Sequence, residues 1–217
     1  MKSEYNLSDF GIEPKLYLHG QMKIILKIDN APILFLFDEY HTNQDCKNEN
    51  IENAKELIEK ANVKLIAVEG FEGGYEYDYF DFNSYTNRYI NGEISEHQRI
   101  GNSPEFAHGV KEFFSPVVGI DCRGLSDKME VDVYKEKWEA ENIGNHPFQK
   151  ERSIHFIKTI IEEYNRLRCN GAIILNGGSR HNDDIINMAK DREKYPELNL
   201  KFSLIRLRPT SHPTSEF

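Results

Sequence analysis

Short apolar runs alternate with polar stretches along this chain, and the spacing of the apolar positions predicts both strands and helices. Leu16–Leu18 and Met22–Ile28 read as short strands, and the turn cluster Asp29-Asn30-Ala31-Pro32 precedes the apolar run Ile33–Phe37. This predicts an N-terminal hairpin leading into a buried strand. Between residues 49 and 61, Ile51, Ala54, Leu57, Ile58 and Ala61 keep the helical spacing of a single buried face. Val63–Val68 is then nearly all apolar, as in a strand covered on both faces. The three segments make one βαβ unit.

Residues 71–115 break that rhythm. They are rich in Tyr, Phe, Asp, Asn and Gly and read as an inserted excursion of loops and short helices. Val117–Ile120 resumes the sheet. A helical pattern surrounds Trp138 over 126–142, and a firmer one over Arg152–Leu167 places Ile154, Ile157, Ile161, Tyr164 and Leu167 on one stripe. Gly171–Leu175 is another buried strand, followed by a tight turn at Gly177-Gly178 and a helix over Asp183–Lys190. Phe202, Leu204 and Leu207 alternate with polar residues, as in a half-covered last strand. Residues 1–14 read as a lead-in and Pro209–Phe217 as a frayed tail. The expected fold class is α/β: a mostly parallel central sheet flanked by helices, with an N-terminal β-hairpin and a helical and loop insertion. One domain spans 1–217, its core about 16–208.

Composition narrows the classes of function. Hydrophobic residues at 39% and charged residues at 29% fit a soluble globular domain, and no apolar run approaches the roughly 18 residues of a membrane span. A formal charge of −9 argues against nucleic acid as the main partner. The first residues lack the apolar stretch of a signal peptide, so the expected location is cytoplasmic. Cys46, Cys122 and Cys169 are too few and too scattered for a disulfide framework.

The candidate chemistry lies where strands end. Ile33–Phe37 runs into Asp38, Glu39 and His41, and Lys64–Val68 into Glu69. Val117–Ile120 runs into Asp121, and Ala172–Leu175 into Asn176, with Arg180 and His181 close behind. In a parallel sheet these ends share one edge, where ligands bind. Glu39, His41, Glu69, Asp121 and His181 are donors suited to a divalent metal such as zinc, manganese or cobalt. Glu39, His41, Glu69 and His181 equally suit metal-free acid–base chemistry, with Arg180 as an oxyanion clamp. Structural readings compete at each position. Asp38 or Glu39 can cap a turn with His41 at the surface, Glu69 can pair with Arg123 or Arg180, and His181 can be an ordinary first-turn helix residue. Cys122 near a strand end is more readily a packed residue than a nucleophile. Asp45 and Asn48 read as turn and helix-cap residues. His19 and His212, in hairpin and terminal segments, carry no metal-pair spacing.

The stretch Asp38-Glu39-Tyr40-His41 after an apolar strand, Glu69 after the next, and Gly178-Ser179-Arg180-His181 late in the chain resemble the superfamily of erythromycin esterases, ChaN, TraB and TIKI proteases. The resemblance spans roughly residues 16–208. It implies an α/β core with inserted helices and a site made of Glu39, His41, Glu69 and His181. Asp38 departs from the pattern by standing where the first motif has glycine, which adds bulk and a carboxylate. Members of this superfamily imply different reactions: metal-dependent peptide hydrolysis, histidine-based ester hydrolysis, or haem-iron binding. The expectation is therefore a hydrolase of an ester or amide bond in a small-molecule or peptide substrate, with or without one divalent metal. The alternative is a module that binds haem or another ligand without turnover. For that alternative the aromatic residues crowding Phe71–Tyr89 would pack on the ring. A scaffold with a decayed site is the third reading.

Overall fold

Among the described residues six strands make the central sheet, and the last of them in sequence lies one place in from an edge. The computed structural model describes residues 2–40, 43–72, 105–121, 149–198 and 201–214, with backbone alone at 70–72, 121 and 197. In chain order the elements are β1 (Lys2–Leu7), β2 (Ile12–His19), β3 (Gln21–Leu26), β4 (Ile33–Glu39), α1 (Gln44–Lys60) and β5 (Val63–Glu72). They continue with α2 (Glu105–Lys111), β6 (Val117–Asp121), α3 (Gln149–Arg166), β7 (Ala172–Gly178), α4 (Ser179–Lys190) and β8 (Ser203–Arg208). The sheet order is β3-β8-β4-β7-β5-β6, parallel except for β3, which runs antiparallel to β8. The α/β class with a mostly parallel sheet and an N-terminal hairpin is thus as the patterning predicts.

The hairpin uses different strands from those expected. β1 and β2 pair with each other, so the presumed lead-in is itself a strand, while β3 leaves to pair with β8. A lead-in of mixed polarity hides its strand character because most of β1 is exposed and only Leu7 is buried.

Register assigns every sheet residue to a face. Phe35, Phe37, Ile66, Val68, Ile174 and Ile205 pack with α1, α2 and the hairpin residues Leu16 and Leu18. Leu34, Leu36, Leu65, Ala67, Ile173 and Leu175 point to the other face, against Phe156, Ile157 and Ile160 of α3 and Ile185, Met188 and Ala189 of α4. Helices on both faces explain why these strands are nearly continuous apolar runs.

Three expectations at the ends of elements are corrected. α1 begins at Gln44 rather than near 49, and its cap is Asn43, whose Oδ1 accepts the Cys46 N–H at 3.1 Å, not Asn48. α4 begins at Ser179, which brings His181 into its first turn. β8 is buried along its whole length, and the segment after it is tied down rather than frayed. Asn43 donates to the Ser211 carbonyl at 2.9 Å, and Ser211 donates to Glu49 through its N–H at 3.0 Å and its hydroxyl at 2.9 Å. The helix expected at 126–142 lies outside the described residues, as do the aromatic residues from Tyr75 to Tyr89 in the insertion.

Candidate active site

The parallel strands bring β4, β5 and β7 to a common carboxyl edge. Glu39 of β4 is level with Gly178 of β7, and Val68 of β5 is level with Asn176, so Glu69 lies one residue further along. Alternation then decides which side chains meet. Glu69 falls on the α3–α4 face with Asp38, and Glu39 falls on the α1 face with Phe37 and Asn176.

Glu69 is the centre of the first group. Its Oε2 accepts the Gly178 N–H at 2.6 Å, and its Oε1 accepts from Arg152 Nη2 at 3.2 Å. The same oxygen lies 3.3 Å from His181 Nε2, with the two side chains only 10% and 7% exposed. A carboxylate ending an apolar strand is costly to bury unless such partners exist. A Cβ at Gly177 would stand 3.4 Å from Oε2, an ordinary contact, so Glu69 packs closely along this backbone. Arg152 supplies the charge pairing sought in Arg123 or Arg180. Arg123 lies outside the described residues, and Arg180 is exposed in the first turn of α4.

His181 is fixed at its other nitrogen as well. Nδ1 is 2.8 Å from the Ser153 hydroxyl, which also lies 2.9 Å from Asp184 Oδ2 and 2.9 Å from the Gln149 carbonyl. The Phe156 ring lies 4.7 Å from the imidazole, centre to centre, and the Arg152 guanidinium stands over that same Phe156 ring, 5.5 Å from its centre. A ring proton at Nε2 is directed at Glu69, and Ser153 can then donate to Nδ1. With both nitrogens protonated, the Ser153 hydroxyl turns to Asp184 and accepts from Nδ1–H. The arrangement holds the imidazole in one orientation through either protonation state.

Glu39 belongs to a second group. Asn176 Nδ2 donates to its Oε2, while Asn50 of α1 donates to Asn176 Oδ1 at 3.0 Å and to the Asp38 carbonyl at 3.1 Å. Sequence reasoning places Glu39 in the same cluster as Glu69 and His181; the structure puts it at the same edge but on the opposite face of the sheet. Asp38, expected to add a carboxylate to the site, is fully buried in an ion cluster instead. Arg206 Nε reaches both of its oxygens at 2.9 Å, Arg208 Nε reaches Oδ2 at 2.7 Å, and Asn182 donates to Oδ1 at 2.9 Å. Arg206 also donates through Nη1 to Asp183 at 2.6 Å.

His41 and Cys122 lie outside the described residues. Asp121 closes β6 level with Glu72, and its side chain is likewise outside them. Among the described residues no three His, Cys, Asp or Glu side chains gather as a metal-binding group. Cys46 is no nucleophile: burial pushes its thiol up to about 12, leaving almost no thiolate near neutral pH. The residues that sequence reasoning missed are Arg152, Ser153, Asp184 and Asn182; Asn176 was expected at this edge and lies there. Ser153 had a signal, since it continues toward the helix start the spacing of Phe156, Ile157 and Ile160, all buried. The edge-positioned His181 therefore sits between a carboxylate held by a backbone N–H and an arginine, and a hydroxyl backed by a second carboxylate. No family model, curated protein or solved structure matches this chain.

Proposed function

We propose that this protein is a hydrolase of ester or amide bonds whose Glu69–His181 pair activates water at the carboxyl edge of the sheet. The observation that carries the reading is the 3.3 Å approach of His181 Nε2 to a Glu69 carboxylate held by the Gly178 N–H and Arg152. Such a pair accepts the proton of an attacking water as its oxygen bonds to the carbonyl carbon. It returns that proton to the leaving oxygen or nitrogen when the tetrahedral intermediate collapses. The motif order that resembles erythromycin esterases and TIKI proteases supports the same assignment. In the metal-assisted form of the reading, Glu69 and His181 are two donors, and His41 or Asp121 would complete the set.

The test is a panel of chromogenic esters and amides offered to the wild-type chain and to His181→Ala, with metal content measured on both. Turnover that falls about 10²–10⁴-fold in the variant supports the pair as proton carrier. Stoichiometric zinc, manganese or cobalt in the wild type, lost in the variant, selects the metal-assisted form. Absence of turnover on every substrate, together with a visible band on adding haem, would replace the hydrolase reading with the ligand-binding one.

A further inference from the structure

Two helical spacings meet over the candidate pair. Gln149 and Ser153 stand one turn apart on α3, and His181 and Asp184 one turn apart on α4, so each pair projects from one side of its helix. Where those sides face each other, the Ser153 hydroxyl lies buried between His181 Nδ1 at 2.8 Å and Asp184 Oδ2 at 2.9 Å. Gln149 closes the set, accepting at its carbonyl from Ser153 at 2.9 Å and donating through Nε2 to Asp184 Oδ2 at 3.1 Å.

A hydroxyl carries one hydrogen, and three atoms able to accept it surround Ser153: the Gln149 carbonyl, Asp184 Oδ2 and His181 Nδ1. A carboxylate is the strongest acceptor of the three. When Asp184 takes the Ser153 hydrogen, an oxygen lone pair faces Nδ1, and a ring hydrogen there completes the contact. Nδ1–H, Oγ–H and Oδ2 then point in one direction, outward from the imidazole. The path also leads to solvent. His181 and Ser153 are buried, whereas Asp184 is partly exposed and its charge acts on the exposed Lys150.

We propose that Ser153 and Asp184 are a proton relay joining the Glu69–His181 pair to solvent. The relay deepens the hydrolase reading and rests on it: Ser153 and Asp184 touch no reacting atom and act through His181 as positioning residues. The proton taken from the attacking water enters the imidazole at Nε2. The N–H bond at Nδ1 then breaks as an O–H bond forms at Ser153, whose own hydrogen moves to Asp184 Oδ2 and on to solvent water. The ring is left neutral with its hydrogen on Nε2, and that is the proton it gives to the leaving group. The same path run backward restores Nδ1–H.

Exchange of the His181 ring N–H hydrogens with water, followed by ¹⁵N–¹H NMR on the full chain without substrate, tests the relay. Asp184→Asn keeps the shape and an oxygen that accepts from Ser153 but loses the basicity to carry a proton, so exchange should slow about tenfold or more. Ser153→Ala breaks the same path one step earlier and should slow it as well. Side chains that only pin the ring act the other way, since loosening them leaves exchange unchanged or faster. That result in Asp184→Asn, with the β7 backbone amides exchanging as before, overturns the relay. So do wild-type ring hydrogens that outlast the β7 amides, whether or not the variants fold. The measurement needs no substrate, so its outcome is separate from whether any ester or amide is turned over.

Discussion

A carboxylate at the end of an apolar strand is stable only with partners, and the two acids Asp38 and Glu69 show two solutions on the same face. Among the described residues Glu69 meets an arginine, a backbone N–H and an imidazole, a group able to move a proton. Asp38 meets two arginine Nε groups and an amide, all of them donors. The first set allows chemistry; the second only binds β8 and α4 to β4. Asp38→Asn should therefore leave two buried guanidiniums undercompensated and cost about 3–5 kcal/mol of stability, measured by urea unfolding. A variant as stable as the wild type would show that the cluster is not what anchors β8.

At the level of elements, the buried parallel strands β4 to β7, their order of appearance and the edge where they end were legible in the sequence, because runs such as Val63–Val68 are too apolar to be exposed, whereas β1, mostly exposed, was not. The position of β8 was not legible either. Arg206 and Arg208 alternate with Leu204, Ile205 and Leu207, so the segment reads as half-solvated, whereas those arginines are buried against Asp38, more than 160 residues earlier. Nor does the local pattern reveal that Glu39 and Glu69 take opposite faces. That depends on the register of β4 and β5 against β7. The turn between β2 and β3 depends on the same placement of β8. Gly20 has φ +100°, and a Cβ there would stand 2.0 Å from the Arg208 carbonyl oxygen, while Gly11, at φ +73°, has open space around it. Gly11→Ala should cost about 1–2 kcal/mol, the conformational penalty alone. Gly20→Ala should cost clearly more, because backbone must also move. Thermal unfolding of the two variants side by side checks the order.

For the whole molecule, pH enters through groups whose ionisation differs between the folded and unfolded chain. Burial lowers His19 and His212 below their ordinary 6.5. Between that value and their lower folded values the unfolded chain binds more protons, so stability should fall as pH drops below about 6.5. A second decline should begin below 4.5. There Glu52, held down chiefly by Lys55, is protonated first in the unfolded chain. Glu56 behaves likewise: burial raises it, but Lys60 and the Tyr17 N–H outweigh that effect. Denaturant midpoints from pH 8 to pH 4 should fall in these two stages, and a midpoint constant from 8 to 5 would contradict the histidine assignment.

The account rests on Glu69 and His181 acting together at the sheet edge. Its most direct test is the ratio of kcat/KM for Glu69→Gln against the wild type, on whichever ester or amide the wild type turns over. Glutamine keeps the shape of the side chain and removes its charge and basicity. The account predicts a loss of about 10²–10⁴-fold in a variant whose circular dichroism matches the wild type. A folded Glu69→Gln protein that hydrolyses the same substrate at the wild-type rate would contradict it.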